Sequence, residues 1–266
     1  MKKRIISAIV MCIIVIPILL IGGLPFKIFT MIIGVASLYE LLHLRKKSKE
    51  IPLPIRLISY ILLAVFIYLG TNIYSSNYDI IYKILIAIFL IYFIPVVFIN
   101  NNDKYNISDA LYVLGMTIFL SIAYNSFVMI SNNDISYLLY VIVITVGTDV
   151  FAYFTGYFVG ENKMCEKISP KKTWEGAVGG TLIGTVLGVI FYSFIINSDI
   201  NMVLLVGSTL LLSIIGQIGD LFFSSIKRYY SVKDFSKLIP GHGGILDRLD
   251  SLIFVVLAFA LFINIL

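Results

Sequence analysis

The chain has 266 residues, of which 59% are hydrophobic and only 13% are charged, and its mean hydropathy is +0.99. In soluble domains about a quarter of all residues are charged, so this composition excludes a soluble domain and indicates an integral membrane protein. The net charge of +5 is accounted for by basic cytoplasmic loops beside anionic lipid, so no nucleic-acid partner is expected.

Apolar runs of about 20 residues, the length that crosses the hydrocarbon core, recur along the whole chain. The runs lack the period-two alternation of a membrane barrel, so they predict an all-α, polytopic bundle of about nine transmembrane helices. In chain order they cover residues 5–22, 25–43, 54–71, 80–99, 109–131, 136–159, 174–196, 202–223 and 245–265.

The first run follows the basic start MKKR, as the core of a signal peptide does. It is longer than an ordinary signal core, and no A-x-A-like cleavage site follows it. We therefore interpret it as a retained first helix.

Lysine and arginine fall on one side of the nine-span arrangement, with Lys27 and Lys83 as exceptions. The positive-inside rule then predicts a cytoplasmic N-terminus. The basic positions lie at 2–4, 45–49, 56, 104, 163–172 and 227–237. We expect one membrane domain, 1–266, in which 1–140 form a helical scaffold and 145–255 form the catalytic half.

Ionisable residues inside membrane helices are costly and usually line a cavity or have a partner. Glu175, Asp220 and Asp247 are predicted at cytoplasmic helix ends, whereas Asp149 lies deeper, so a cavity must reach it or it must be paired. Carboxylates at one depth suit a hard divalent cation that bridges to phosphates. Any one of them alone is also explained as a capped or paired helix end. Asp250 in particular has neighbouring cations as alternative partners.

Positive charge adjoins these carboxylates. In SPKKTWEG, Lys171 and Lys172 precede Thr173, a candidate N-cap, and free N–H groups at a helix start favour anions. Loop lysines are also explained by the positive-inside rule and by snorkelling to headgroups. His242 in the glycine-rich PGHGG suits phosphate binding, proton transfer or a simple hydrogen bond.

Together these residues predict a cytoplasm-facing site for a polyanion and a divalent metal, cut into a membrane bundle. Phosphoryl or nucleotidyl transfer needs mainly positioning and charge neutralisation, which such a site supplies. A site embedded in the membrane implies a lipid reactant.

The stretch SSIKRYYSVKDFSKLIPGHGGILDRLD, residues 224–250, resembles the signature of phosphatidate cytidylyltransferases, also called CDP-diacylglycerol synthases. Upstream, DVFAYFTGYFVG and SPKKTWEGAVGG resemble other recurring segments of that family, so the resemblance covers about 145–255, and residues 1–140 match only as generic membrane helices. The signature positions are filled by Ser224, Lys227, Arg228, Lys233, Asp234, His242, Gly243, Gly244, Asp247, Arg248 and Asp250.

The resemblance implies that CTP and phosphatidate give CDP-diacylglycerol and pyrophosphate with Mg²⁺, and it is compatible with a second cation. It implies Asp220 and Asp247 as metal carboxylates, supported by Asp149 and Glu175. The implied catalytic residues are Asp220, Asp247, Lys227, Arg228, His242 and Arg248. The implied substrate-binding residues are Ser169, Lys171, Lys172, Thr173, Glu175, Ser224, Lys233, Asp234, Gly243, Gly244 and Asp250.

The implied partners are CTP, phosphatidate and membrane lipid, and a homodimer is compatible with the family. A short multi-pass chain without soluble extensions favours a bacterial inner (plasma) membrane, with the site facing the cytoplasm. A CTP-dependent polyprenol or phytol kinase would use similar groups but release CDP. An ion-coupled transporter would need polar positions near the bilayer midplane in both halves of the chain. A catalytically inactive scaffold would not need the intact set of acidic and basic residues.

Overall fold

The computed structural model describes residues 2–45, 49–73, 78–99, 104–197 and 199–263. This part of the chain forms nine α-helices and one two-stranded antiparallel sheet. The helices are α1 Lys2–Ile21, α2 Gly23–Arg45, α3 Leu53–Ile73, α4 Tyr78–Ile99, α5 Ile107–Asn133, α6 Ile135–Val159, α7 Trp174–Phe191, α8 Met202–Tyr229 and α9 Leu246–Phe262; the strands are β1 Lys163–Cys165 and β2 Ser169–Thr173.

Each predicted apolar run corresponds to one helix, and the seventh continues from α7 into a π-helical turn at Tyr192–Ile196. In the described part of the chain, seven helices are long and apolar enough to cross a membrane; α4 and α9 are not among them. The apolar stretch of α4 covers Leu85–Ile99, and α9 has 17 residues. The prediction of a polytopic helical membrane protein is confirmed. The last two positions of the ninth run, 264–265, lie outside the described residues.

Two local expectations were wrong. Helix α8 continues to Tyr229, six residues beyond the predicted end of its run, so Ser224, Lys227 and Arg228 are helical. The apolar run ends where α8 becomes polar, but no glycine or proline interrupts the helix there. Residues 163–173, expected as a loop, form the β1–β2 hairpin, in which Lys163 pairs with Thr173 and Cys165 with Ser169.

The chain divides into two compact units. The first contains Met1–Met129 together with Asp234–Ile245, and the second contains Ile130–Lys233 and Leu246–Leu266. The segment 234–245 therefore belongs with the amino-terminal helices, although the helices that flank it in sequence belong to the second unit. The division into a scaffold, 1–140, and a catalytic half, 145–255, stays a prediction.

In the first unit, the interior is built from α2, α3 and α5. The side chains of Leu38, Leu41 and Leu63 are fully buried. The buried carboxylate of Asp109 at the start of α5 is neutralised by two cations, Arg45 and Lys49, each at 2.6 Å. A buried charge is tolerated only when it is paired in this way, so this cluster fixes the start of α5 against the end of α2.

In the second unit, α6 and α7 pack through a stripe of glycines, Gly176, Gly180, Gly184 and Gly188, which recur every fourth residue of α7 and so lie on one face. Small residues let two membrane helices approach closely. A Cβ built on Gly180 would lie 2.6 Å from both the carbonyl oxygen of Thr148 and the Cβ of Ala152. The stripe therefore determines how closely α7 approaches the helix that carries Asp149.

Gly180→Ala is expected to separate α6 from α7, because backbone atoms of α6 occupy the space that the methyl group needs. We expect a loss of stability of about 1–3 kcal/mol, the usual cost of overpacking, and reduced activity per folded molecule. Thermal unfolding in detergent and specific activity measure the two effects. Gly207→Ala on α8 is the matched control, since no atom of the described residues lies within 4 Å of its added Cβ. Equal unfolding temperatures for the two variants would contradict the packing argument.

Candidate active site

A pocket of about 590 Å³ opens in the second unit between α6, the hairpin, α7 and α8. This volume lies within the range of about 300–1,000 Å³ of small-molecule sites. The polar and aromatic lining includes Asp149, Tyr153, Tyr157, Lys163, Lys171, Lys172, Thr173, Gln217 and Asp220. The side chain of Asp149 is exposed to this pocket, so a cavity does reach the deepest of the predicted carboxylates.

Lys172 and Asp220 form the central ion pair of the pocket, with Nζ 2.6 Å from Oδ2. Both side chains remain about a quarter exposed (25% and 27%), so a ligand can reach them. Ser224, one turn further along α8, donates to the other oxygen of Asp220 at 3.2 Å. The hydroxyl of Thr173 accepts from the backbone N–H of Gly176 at 3.1 Å, which confirms the predicted N-cap. Lys172 is thus held beside the start of α7.

Three carboxylates from three helices interact electrostatically at this site: Asp149 of α6, Asp220 of α8 and Asp250 of α9. Ser251 of α9 also lies beside Asp149. Their mutual repulsion is offset by Lys172 and by Lys227. Among the described residues, no three His, Cys, Asp or Glu side chains converge closely enough to form a metal site by themselves.

The chemistry of this donor set fits Mg²⁺, which prefers oxygen ligands and completes its shell with water and substrate phosphates. Asp149 and Asp220 line one open pocket and offer carboxylate oxygens as ligands. A cation among them would take over part of the neutralisation that Lys172 provides for Asp220. The roles of Asp149 and Asp220 as metal ligands stay predictions.

Asp247 has a different environment from the other signature carboxylates. Its Oδ1 accepts from Nζ of Lys227 at 2.8 Å, and the two side chains are only 3% and 9% exposed. This pair joins α9 to α8 within the second unit. Asp250, one helical turn further on, is the residue that lies near Asp149 and Asp220. The structure therefore gives Asp247 a lysine partner, and its assignment as a metal carboxylate stays a prediction.

Several other predicted residues lie around the hairpin. Glu175 accepts from Nδ2 of Asn162 at 2.6 Å and from the backbone N–H groups of 161 and 162 at 3.2 Å, so its carboxylate fastens the hairpin to α7. Arg228 donates to the carbonyl oxygens of Ile168 at 3.1 Å and Val232 at 3.0 Å. Ser169 begins β2. These contacts explain the residues structurally, and their roles toward a substrate stay predictions.

The remaining signature residues are at the surface or in the first unit. Lys233 and Arg248 are exposed residues of the second unit, and Asp234 is an exposed residue of the first. His242, Gly243 and Gly244 lie in the 234–245 segment, in a turn closed by a hydrogen bond from Ile239 N to Gly243 O at 2.8 Å. Gly241 and Gly243 have φ values of 81° and 87°, a conformation that favours glycine.

Four polar or aromatic residues that line the pocket were not predicted from the sequence: Tyr153, Tyr157, Lys163 and Gln217. The tyrosines follow Asp149 at four and eight residues, which places all three on one face of α6. Gln217 is buried, and its Nε2 donates to Thr181 Oγ1 at 2.7 Å and to Ala177 O at 3.2 Å. A buried amide one turn before Asp220 in an apolar run is the signal that could have indicated it.

The sequence model of the cytidylyltransferase family matches residues 2–266. The chain belongs to the cytidylyltransferase family. Curated relatives named phosphatidate cytidylyltransferase occur in Bacillus subtilis strain 168 (36% identical over 259 residues, 96% of this chain and 95% of the relative), in Staphylococcus haemolyticus (34% over 256 residues, 96% of each chain) and in Staphylococcus aureus strain COL (35% over 257 residues, 96% of each chain). The cytidylyltransferase match therefore includes the amino-terminal helices, which the sequence motifs alone left as generic membrane helices.

Proposed function

We propose that this chain is a phosphatidate cytidylyltransferase, which converts CTP and phosphatidate to CDP-diacylglycerol and pyrophosphate in phospholipid biosynthesis. The observation that carries the proposal is the pocket of the second unit, where Lys171 and Lys172 stand beside Asp149 and Asp220. This combination of cations and carboxylates suits a polyphosphate. Relatives that bear the name of this activity align along 96% of the chain.

In the proposed reaction, a phosphate oxygen of phosphatidate attacks the α-phosphorus of CTP. The bond between that phosphorus and the oxygen bridging to the β-phosphate breaks, and the electron pair leaves with pyrophosphate. The CMP group is thereby joined to the lipid phosphate through a new P–O bond. Such a transfer depends chiefly on alignment and charge neutralisation.

The residues of the pocket supply both needs. Lys163, Lys171 and Lys172 line it and would neutralise the triphosphate and the lipid phosphate. The start of α7, capped by Thr173, directs its helix dipole toward the same region. Arg228, Lys233, His242 and Arg248 are proposed as further phosphate or proton-transfer residues on the strength of the signature alone.

Asp220, with Asp149 and Asp250 nearby, is proposed to hold Mg²⁺. When bound, this cation would withdraw charge from the phosphate oxygens and make pyrophosphate a better leaving group. Titrating MgCl₂ into the Asp149→Asn variant tests the proposal, because loss of a ligand should raise the magnesium concentration that gives half-maximal turnover. An unchanged requirement would remove Asp149 from the metal site.

We also propose that the pocket faces the cytoplasm, where CTP is found, and that the membrane is the bacterial inner membrane. The support is the bias of basic residues toward one side of the predicted spans. Cys165 in the hairpin gives a direct test in a Cys12→Ala background, with an impermeant maleimide. Labelling in intact cells would contradict this orientation. A homodimer stays a prediction, which light scattering of the purified protein tests.

The activity is tested by incubating purified protein with phosphatidate, Mg²⁺ and CTP labelled at either the α- or the γ-phosphorus. We expect α-label in the lipid, release of pyrophosphate and no γ-label in the lipid. A CTP-dependent lipid kinase would give the opposite pattern with a polyprenol or phytol acceptor. Transfer of γ-label to the lipid acceptor without α-label would overturn the proposal.

A further inference from the structure

Glu40 of α2 is buried in the first unit, where its side chain meets the segment that contains the PGHGG sequence. Its residue exposure is 1%. Oε1 accepts from the hydroxyl of Ser236 at 2.6 Å and from the backbone N–H of Ile245 at 2.9 Å. Ser236 in turn accepts from Leu238 N at 3.1 Å. A buried carboxylate persists only where such donors satisfy it, so this group fastens both ends of the segment to α2.

The second glycine of H-G-G is explained by the same carboxylate. A Cβ built on Gly244 would meet Oε1 of Glu40, and it would lie 2.7 Å from Cδ. The backbone of Gly244 is not in the left-handed region, so space rather than conformation requires glycine there. The signature glycine and the buried glutamate are thus complementary parts of one packing arrangement.

The turn has a second attachment, to α1. Nδ1 of His242 lies 2.7 Å from Oγ of Ser7, and this hydroxyl also donates to the carbonyl oxygen of Arg4 at 3.0 Å. Because the hydroxyl proton points to Arg4, the proton between Ser7 and His242 is assigned to Nδ1. This contact also fixes the orientation of the His242 ring. Hydrogen bonds of this kind orient functional histidines in many sites.

We propose that Glu40 and Ser7 are positioning residues, which hold the PGHGG turn and the His242 ring in the geometry that the reaction requires. The amino-terminal helices then do more than form a scaffold, because they determine the conformation of a signature segment. This inference rests on the proposed function, since turnover is one of its readouts. Hydrogen exchange supplies a second readout that needs no turnover.

Glu40→Ala is the first test. We expect amide exchange in peptides covering 234–246 to become faster, and kcat to fall by roughly 10- to 100-fold, as for the loss of residues that orient active-site groups. The KM for CTP should change much less than kcat. Glu40→Gln retains an acceptor oxygen and should restore part of the protection and the activity. Thr30→Ala is the matched control, because Thr30 is a buried polar residue of α2 whose hydroxyl, in the described part of the chain, bonds only to its own helix.

Gly244→Ala provides the sharpest test when it is combined with Glu40→Ala. Alone, it should disturb the turn, because the methyl group and the carboxylate need the same space. In the double variant the carboxylate is gone, so the added methyl should cost little beyond Glu40→Ala itself. Additive effects of the two changes on hydrogen exchange would overturn the complementary packing.

Ser7→Ala should lower kcat without loss of thermal stability, and Cys12→Ala on the same helix is its control, since Cys12 is exposed. If the wild-type protein transfers no cytidylyl group, the proposed function fails, and hydrogen exchange still tests the attachment of the turn. If the wild type is active but the Glu40 and Ser7 variants match their controls in kcat and exchange, only the positioning proposal fails.

Discussion

Asp220→Asn is expected to reduce kcat by roughly 10²- to 10³-fold, the scale of losing a group that stabilises charge in the transition state. Asp220 forms the centre of the pocket, with Lys172 on one oxygen and Ser224 on the other. The substitution keeps the shape of the side chain and removes its charge. Because both members of the Lys172 pair are partly exposed, the loss of the pair should cost less than about 1 kcal/mol of stability.

The measurement is single-turnover transfer of α-labelled CTP to phosphatidate, together with thermal unfolding of the same preparation. Asp199→Asn is the control. Asp199 lies in the connection that precedes α8, and it does not line the pocket. A variant that kept more than a tenth of wild-type kcat would show that Asp220 is not central to the reaction. A variant that failed to fold would show that the carboxylate mainly stabilises the protein.

The helices were predictable because the hydropathy of the sequence determines where they lie. A run of about 20 apolar residues has no alternative to a helix in lipid, so the bounds of α1 to α9 follow the hydropathy closely. The extension of α8 to Tyr229 was missed because its last turns are polar, and the hairpin at 163–173 because its strands of three and five residues carry no apolar alternation. Both features lie outside the apolar runs, where hydropathy gives no information.

The residues that form the site were partly predictable, but the pairing of their side chains with one another was not. The spacing of Asp247 and Asp250 shows that they share a face of α9, but it does not tell which one meets Lys227. That depends on the rotation of α9 against α8, which is fixed by contacts such as Phe254 beside Gly219. The role of Glu40 was equally unpredictable, because its hydrogen-bond donors come from a segment about 200 residues away in sequence.

The pair of Lys227 and Asp247 gives the second large expected effect. Lys227→Met should destabilise the protein by about 3–5 kcal/mol, because the carboxylate of Asp247 would remain buried without its lysine. Arg56→Met is the control, since the pair of Arg56 and Glu50 at 3.2 Å is much more exposed and should contribute less than about 1 kcal/mol. Thermal unfolding in detergent compares the two variants.

The double variant Lys227→Met with Asp247→Leu separates a structural role from a chemical one. Replacing both partners by apolar side chains removes the buried charges together, so most of the lost stability should return. We expect turnover to stay far below that of the wild type, because the signature assigns both residues to the reaction. If turnover returned with stability, the pair of Asp247 and Lys227 would have a structural role and not a chemical one. The carboxylates left for the reaction would then be Asp149, Asp220 and Asp250, which lie close enough to one another to interact electrostatically.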